Sequence, residues 1–219
     1  MSLQAVLFDL DGTLVDSSIG ILSSLAAAFE NSGCVPTKPF SSELIGPPLR
    51  ETLCLISGDS NPIILAQLAA NFKAHYDTTG FQETSPFPGV GKMLQSLADA
   101  KIPLHIATNK RERPTSHILD ALGWSSLFDL VLSPDSLNPL LPSKAAILSH
   151  LLAEANIDAT QCLYIGDRLD DYNAALETGI PFALAEWGFE GDDSGFPADT
   201  IRLKTPDAGH LLSGFFGRA

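Results

Sequence analysis

The sequence predicts a protein of the α/β class, built on a parallel β-sheet that helices cover on both faces. Three observations support this prediction. Short, continuously apolar runs recur along the chain, helix-length patterns lie between them, and one long stretch after the first run holds helical patterns only. Apolar residues make up 45 % of the 219 residues and charged residues 18 %, so the chain has enough apolar side chains for a buried core.

Five short apolar runs are predicted to be strands, because a run that is apolar at every position suits a strand buried on both faces. They cover residues 5–8, 103–107, 130–132, 162–165 and 181–184. Helical patterns accompany the later runs, at residues 90–100, 113–122, 143–155 and 170–178. Strands that alternate with helices in this way imply parallel neighbours joined by crossover helices.

Residues 17–86 interrupt the alternation and are predicted to form a helical insertion. This stretch carries three helical patterns and no convincing strand. The patterns cover residues 19–31, 48–57 and 63–77, and turns rich in Gly and Pro separate and end them. We therefore expect a core domain of residues 1–16 and 87–219, with a helical domain of residues 17–86 inserted after the first strand.

The charge balance argues against nucleic acid and membrane surfaces as partners. The chain has 26 acidic and 13 basic residues, a net charge of −13. Phosphate backbones are held by clustered Lys and Arg, and anionic lipid repels an acidic chain. No apolar run approaches the roughly 20 residues of a membrane span, and no signal-peptide pattern opens the chain.

The scattered Cys34, Cys54 and Cys162 fit a reduced, cytoplasmic setting.

The strongest motif is Asp9-Leu10-Asp11-Gly12-Thr13, at the end of the first predicted strand. Ligands of open parallel sheets bind beyond the carboxyl ends of the strands. Side chains at i and i+2 of an extended chain project to the same side, so Asp9 and Asp11 repel each other unless one is protonated or a cation lies between them. A hard cation such as Mg²⁺ takes such oxygen ligands. An Asp-rich turn is the alternative interpretation.

Polar residues also follow two further strands and begin one helix. Thr108, Asn109 and Lys110 follow the strand at 103–107, and the acidic run 166–171 follows the strand at 162–165. Each has an ordinary alternative: Thr108 as a helix cap, and the acids as helix-capping charges.

Lys144 begins the helix that precedes the strand at 162–165, where a cation opposes the helix dipole. Surface solvation is its ordinary alternative. Together with the strand-end residues it forms a set of acids, a hydroxyl group and cations, which suits a phosphoryl group that needs a nucleophile, charge neutralisation and donors to its oxygens.

These motifs, in this order, resemble the haloacid dehalogenase superfamily of phosphohydrolases. The resemblance covers essentially the whole chain and includes DxDGT, the strand-end Thr-Asn pair, the lone Lys and GDxxxD. It implies a Rossmann-like, doubly wound core with a small helical cap. Residues 45–51, Ile-Gly-Pro-Pro-Leu-Arg-Glu, resemble the phosphoglycolate phosphatase branch of that superfamily.

The resemblance implies a role for each motif residue. Asp9 would attack phosphorus to give an aspartyl-phosphate, and Asp11 would act first as general acid and then as general base. Thr108 and Lys144 would hold and neutralise the phosphoryl oxygens, assisted by Asn109. The expected ligands of Mg²⁺ are Asp9, the backbone carbonyl of Asp11, Asp167 and, directly or through a neighbour, Asp171.

For each of three basic residues the sequence allows two roles. Lys144 lacks the Lys-Pro motif that many members of the superfamily carry, so Lys110 is a second candidate for part of its role. Arg168 stands where relatives carry a small hydroxyl residue, and it either reaches the substrate or pairs with Asp170. Arg50 follows the Gly-Pro-Pro turn and is expected to contact an anionic group of the substrate, the alternative being an ordinary exposed arginine.

We therefore expect a Mg²⁺-dependent phosphatase that acts on a small phosphorylated metabolite, with phosphoglycolate as the leading substrate. The alternatives within enzymes are a pyrophosphatase, a nucleotide or sugar phosphatase, and a phosphotransferase resembling β-phosphoglucomutase. A binding protein without activity is the alternative outside enzymes, and the presence of all four acidic and basic motif residues argues against it. The expected state is a monomer or a homodimer.

Overall fold

The computed structural model describes residues 3–189, 195–209 and 211; the remaining residues of the predicted core, 1–2, 190–194, 210 and 212–219, lie outside the described part. The strands are β1 (Ala5–Phe8), β2 (Val15–Asp16), β3 (Ser85–Pro86), β4 (Leu104–Ala107), β5 (Leu130–Leu132), β6 (Cys162–Gly166), β7 (Phe182–Ala185) and β8 (Ile201–Leu203). Six of them pair in parallel in the order β5-β4-β1-β6-β7-β8. The predicted α/β class and doubly wound parallel sheet are confirmed.

The α-helices of the described residues are α1 (Ser18–Ser32), α2 (Leu49–Ser57), α3 (Pro62–Tyr76), α4 (Val90–Asp99), α5 (Glu112–Leu122), α6 (Lys144–Ala155) and α7 (Leu169–Thr178). Helices α4 to α7 cover both faces of the sheet. In β1, Val6 and Phe8 pack with α4 and α5 on one face, and Ala5 and Leu7 pack with α6 and α7 on the other. Because side chains of a strand alternate between faces, burial on both faces explains why the whole run is apolar.

Helices α1, α2 and α3 enclose a hydrophobic cluster of their own, which includes Leu25, Phe29, Leu53, Ile56 and Leu68. We call residues 17–86 the helical segment. Its separation as a domain stays a prediction. Within the described residues no single helix is long and apolar enough to cross a membrane; α2 and α3 reach that length and hydropathy only together, across a bend of 115°.

Two short strands were not predicted. Ser85–Pro86 lies in the stretch expected to be free of strands, and it pairs antiparallel with Val15–Asp16, so that a two-stranded ribbon joins the entry and exit of the helical segment. Two residues are too few to produce a recognisable alternation. The edge strand β8 was missed because Ile201 and Arg202 are exposed, which leaves no continuous apolar run.

Candidate active site

The sheet brings three of the predicted motifs to one edge. From β1 the sheet continues to β4 and β5 on one side, and from β6 it continues to β7 and β8 on the other, so the strand order reverses between β1 and β6. Asp9 follows β1, Thr108 follows β4 and Asp167 follows β6. Ligands of open α/β sheets bind at such a reversal, beyond the carboxyl ends of the strands.

Three buried carboxylates meet at this edge. Asp9, Asp167 and Asp171 each place an oxygen within 4.8 Å of the others, close enough to share one cation. Asp171 comes from the first turn of α7, where it also accepts a hydrogen bond of 3.2 Å from the backbone N–H of Arg168. The helix-capping role and the place in the cluster therefore coexist in one side chain.

The crowding of these acids disfavours their ionised forms when only protein surrounds them. Burial raises the pKa of Asp9 to about 7, and the nearby carboxylate of Asp171 adds to this effect while Lys144 opposes it. Burial also raises the pKa of Asp167 well above its usual range, and Asp171 and Asp9 contribute in the same direction. A cation among the three oxygens would remove this penalty.

Lys144 contacts two of these three carboxylates. Its Nζ donates to Asp9 Oδ1 at 2.6 Å and lies 3.0 Å from Asp171 Oδ1. It is the first residue of α6, whose N-cap Ser143 accepts from the backbone N–H of Ala146. Burial alone would lower the pKa of Lys144, but the two carboxylates outweigh it and raise the pKa, so the ammonium form persists.

Asp11 lies in a different arrangement from Asp9, although both belong to the first motif. Its two oxygens accept from Lys110 Nζ at 2.9 and 3.0 Å, and Oδ1 also accepts from the Ser17 hydroxyl at 2.5 Å. The same ammonium lies 4.5 Å from the ring centroid of Tyr76, at the end of α3. The side chain of Asp11 is thus held away from the three-carboxylate cluster, and Lys110 neutralises Asp11 while Lys144 neutralises Asp9.

Thr108 and Asn109 follow β4 into the site. Thr108 is buried, and its hydroxyl accepts from the backbone N–H of Lys110 at 3.2 Å. Asn109 donates through Nδ2 to the carbonyl of Gly46 and to Asp170, both at 3.2 Å. Asn109 therefore connects the core with the turn at Gly46 in the helical segment.

The two predicted arginines occupy different positions. Arg168 does not pair with Asp170 as one alternative expected; its guanidinium donates to the carbonyl of Ser42 at 2.7 Å and lies 3.7 Å from Asp167. The reason is that α7 begins at Leu169, which turns Asp170 toward Asn109 instead. Arg50 is exposed at the start of α2, where it borders a cleft, described below, that also reaches Asp9 and Asp11.

Two glycines let the backbone pass close to Asp167. Gly12 has a φ of +88°, and a Cβ there would lie 2.1 Å from Asp167 Oδ2. A Cβ at Gly188 would lie 2.4 Å from the Cβ of Asp167. A side chain at either position would push Asp167 out of the cluster, so these glycines are part of the site.

The structure adds residues that the sequence analysis did not single out. The Tyr164 hydroxyl lies 2.9 Å from Asp171 Oδ1, as its donor, and 3.2 Å from the carbonyl of Ala107. The backbone N–H of Phe189 donates to Asp167 Oδ2 at 3.2 Å. Tyr164 lies within an apolar strand, and its position in the sequence does not indicate which group its hydroxyl contacts. Ser17 follows Asp11 by only six residues, and this short separation was the one signal that could have indicated its contact.

Two clefts meet at Asp9. The first, about 780 Å³, is bordered by Lys144, Asp167, Arg168, Asp170, Asp171 and Glu186; we call it the acidic cleft. The second, about 470 Å³, is bordered by Ile21, Leu25, Leu44, Phe72, Tyr76 and Leu140; we call it the apolar cleft. Asp9, Asn109 and the turn Gly46-Pro47 border both clefts.

Known proteins resemble the chain in sequence and in fold. A relative from Mycobacterium tuberculosis, named tyrosine-protein kinase PtkA, is 34 % identical over 188 residues, which are 85 % of this chain and 63 % of the relative. A phosphoglycolate phosphatase of Xanthomonas campestris pv. campestris is 32 % identical over 208 residues, 93 % of each chain. The chain thus spans less than two thirds of PtkA but nearly all of the phosphatase.

A solved structure agrees with these relatives. A hydrolase of the haloacid dehalogenase-like family from Streptococcus pneumoniae superposes with a TM-score of 0.83 at 29 % identity, covering 97 % of this chain and 98 % of that one. The family model described as haloacid dehalogenase-like hydrolase matches residues 6–185, which include the three clustered carboxylates, Asp11, Lys110 and Lys144. The chain belongs to the haloacid dehalogenase-like hydrolase family.

Proposed function

We propose that this protein is a Mg²⁺-dependent phosphatase that hydrolyses a small organic phosphate monoester through an aspartyl-phosphate. The observation that carries the proposal is the buried set of Asp9, Asp167, Asp171 and Lys144, in which three carboxylates share a pocket with one ammonium group. Such a set attracts a divalent cation and, once that cation is bound, a phosphoryl group.

The donor set fits Mg²⁺. The three carboxylates offer hard oxygen ligands, and the pKa values of Asp9 and Asp167 rise when no cation is present. The expected ligands are Asp9, Asp167 and Asp171, with the backbone carbonyl of Asp11. When bound, the cation would neutralise phosphoryl oxygens and help to keep Asp9 ionised.

The chain's own residues divide the reaction between them. A carboxylate oxygen of Asp9 forms a bond to phosphorus while the bond from phosphorus to the alcohol oxygen breaks, and Asp11 gives that oxygen its proton. Asp11 then takes a proton from water, whose oxygen attacks the aspartyl-phosphate and releases inorganic phosphate. Lys144 and Thr108 are proposed to hold the phosphoryl oxygens throughout both steps.

The relatives support this function and supply a second candidate. The phosphatase from Xanthomonas, named for phosphoglycolate, makes phosphoglycolate the first substrate to test. The relative named tyrosine-protein kinase favours a phosphotransferase as the second candidate, in which an acceptor other than water takes the phosphoryl group from Asp9. Both candidates use the same nucleophile and differ in the acceptor.

The test is a phosphate-release screen with Mg²⁺ over phosphoglycolate, pyrophosphate, nucleotides, sugar phosphates and simple alkyl and aryl phosphates. We expect Asp9→Asn to lose turnover of every substrate, while Asp99→Asn, an exposed acid of α4, retains it. Turnover that survives in Asp9→Asn contradicts the covalent mechanism. Recovery of the phosphoryl group on an added alcohol instead of as free phosphate would favour the phosphotransferase.

A further inference from the structure

The two clefts at Asp9 differ in the groups that they offer to a phosphate ester. Lys144 and the acids of α7 border the acidic cleft, whereas Asp11 borders the apolar cleft. The expected cation-binding carboxylates and Lys144 thus border the acidic cleft, while Thr108 borders the apolar cleft. The proposed proton donor lies on the same side as Thr108.

The position of Asp11 decides which cleft receives the leaving group. In a displacement at phosphorus the attacking and leaving oxygens lie roughly in line. The leaving oxygen must also come within hydrogen-bond reach of the acid that protonates it. Since Asp9 attacks and Asp11 gives the proton, the alcohol departs into the apolar cleft.

The walls of the apolar cleft are mainly hydrocarbon. Ile21 and Leu25 of α1, Phe72 of α3 and Leu44 form one side, and Leu140 lies at the rim. Leu140 is 66 % exposed, so its side chain is accessible to an apolar group that enters the cleft. The cleft, at about 470 Å³, is also far larger than a two-carbon alcohol requires.

The basic side chains that border the apolar cleft do not offer a buried counter-ion to an anionic leaving group. Lys110 is paired with Asp11, and Arg111 with Asp77. Arg50 and Lys73 make no ion pair within the described residues, but both are exposed to water at the edge of the cleft. A carboxylate placed against the apolar walls would lose its hydration without a buried counter-ion, which is unfavourable.

We propose that the apolar cleft is the leaving-group site and that it selects phosphate esters of hydrocarbon-rich, uncharged alcohols, alkyl or aryl. This inference rests on the proposed function, because Asp9 and Asp11 must act as assigned there. It ranks such esters above phosphoglycolate, whose leaving group carries a carboxylate.

The experiment measures kcat/KM with Mg²⁺ for n-alkyl phosphates from ethyl to hexyl, and for phosphoglycolate. The chemistry at phosphorus is nearly constant along the alkyl series, so a trend reports contact with the hydrocarbon chain. We expect kcat/KM to rise by about fourfold for each added methylene, the factor that corresponds to burial of one CH₂ group. Phosphoglycolate should fall below the longer esters.

Two cleft variants locate the effect. Leu140→Ser at the rim and Leu49→Ser at the first residue of α2 should each flatten the rise, because both side chains border the apolar cleft. Leu176→Ser is the matched control: Leu176 has the same 66 % exposure as Leu140 but lies on α7, outside this cleft. Circular dichroism of each variant checks that the fold is intact.

The possible results separate the inference from the function beneath it. A flat or falling alkyl series with phosphoglycolate hydrolysed fastest overturns the inference and leaves the phosphatase proposal standing. A rise that both cleft variants leave unchanged overturns the assignment to this cleft. Phosphate release from none of the esters, or release that persists in Asp9→Asn, overturns the proposed function itself.

Discussion

Lys144 and Lys110 are both buried and charged, yet each serves a different acid of the first motif. Lys144 bonds to Asp9 and lies beside Asp171, and Lys110 holds both oxygens of Asp11. The sequence left open whether the two lysines share one role. Their partners show that they lie on opposite sides of the site, with Lys110 at the proposed proton donor and Lys144 at the proposed nucleophile.

The hydroxyl of Tyr164 contacts the acid cluster through a hydrogen bond to Asp171. Its ring is fully buried between the strands and α7, and its hydroxyl is within hydrogen-bond distance of Asp171. Burial raises the pKa of Tyr164 well above its usual range, and the charge of Asp171 adds to this effect, so the hydroxyl stays protonated. Partners of this kind orient metal ligands, and their loss typically weakens metal binding by about 10–100-fold.

The first prediction is that Tyr164→Phe raises the Mg²⁺ concentration for half-maximal activity by about tenfold. The variant keeps the ring and removes only the hydroxyl, with its contacts to Asp171 and to the carbonyl of Ala107, so activity at saturating Mg²⁺ should stay within a few-fold of the parent. Titration of activity with Mg²⁺ measures both quantities. Tyr172→Phe, on α7 with its ring against Phe182, is the control and should not change the Mg²⁺ requirement. An unchanged requirement in Tyr164→Phe would contradict the role assigned to this hydroxyl.

The loop that leaves β1 is the element on which the site depends most. Leu10, Thr13 and Leu14 are fully buried, and Trp187 Nε1 donates to the carbonyl of Thr13 at 2.9 Å. Gly12 lies between them with a positive φ and passes against the carboxylate of Asp167. The loop is thus fixed on one side by the core and on the other by the expected metal ligand, and it has no room to move away.

The second prediction concerns this close approach. Gly12→Ala should reduce kcat/KM by about 100-fold, because the new Cβ displaces Asp167 by about 1 Å. Gly33→Ala is a matched control: Gly33 also has a positive φ, at the end of α1, but a Cβ there meets nothing within 4 Å. That control should lose about 1 kcal/mol of stability and keep its activity. Thermal melts and Mg²⁺ titrations of both variants distinguish the two effects, and equal activity in both would contradict the steric argument.

The elements were predictable where burial forces a pattern on the sequence. The strand at 5–8 has the predicted bounds, and α5 begins one residue before the predicted 113–122. The two-residue strands and the exposed edge strand were missed because their residues carry no continuous apolar run. The strand-end residues of the site could be found because a parallel sheet places these ends at one edge.

The partners of the site residues could not be found in the same way. That Lys110 binds Asp11 depends on how the loop after β4 folds back toward β1, and that Arg168 reaches Ser42 depends on the position of the helical segment. Neither relation has a fixed spacing in the sequence. The same is true of the apolar cleft, whose walls come from α1, α2, α3 and the loop before α6.

At the scale of the whole molecule, the excess of acidic residues matters most at the expected metal site. The chain carries a net charge of −13, and three of its acids are buried within 4.8 Å of one another. Without a cation this pocket repels phosphate and penalises its own ionised carboxylates. The acidic composition therefore leads us to expect that both substrate binding and the stability of the fold depend on a divalent cation.

The last prediction is that Mg²⁺ raises the melting temperature more at pH 8 than at pH 5. In the folded chain without metal, the pKa of Asp9 is about 7 against the usual 3.8, and that of Asp167 is raised in the same direction. Between these values the folded state holds protons that the unfolded state has released. The free energy of unfolding without metal therefore falls as pH rises from about 4 to 7, by at most about 1.4 kcal/mol per carboxyl group for each pH unit.

A bound cation replaces those protons, so its stabilisation is largest where they have been lost. Thermal melts at both pH values, with Mg²⁺ and with a chelator, give the difference directly, and the comparison at each pH cancels the titration of groups outside the site. Asp167→Asn should shrink the difference between the two pH values, whereas Asp99→Asn should leave it unchanged. An equal effect of Mg²⁺ at pH 5 and pH 8 in the parent chain would mean that the three carboxylates do not bind the cation, since protons and Mg²⁺ would then not compete for them.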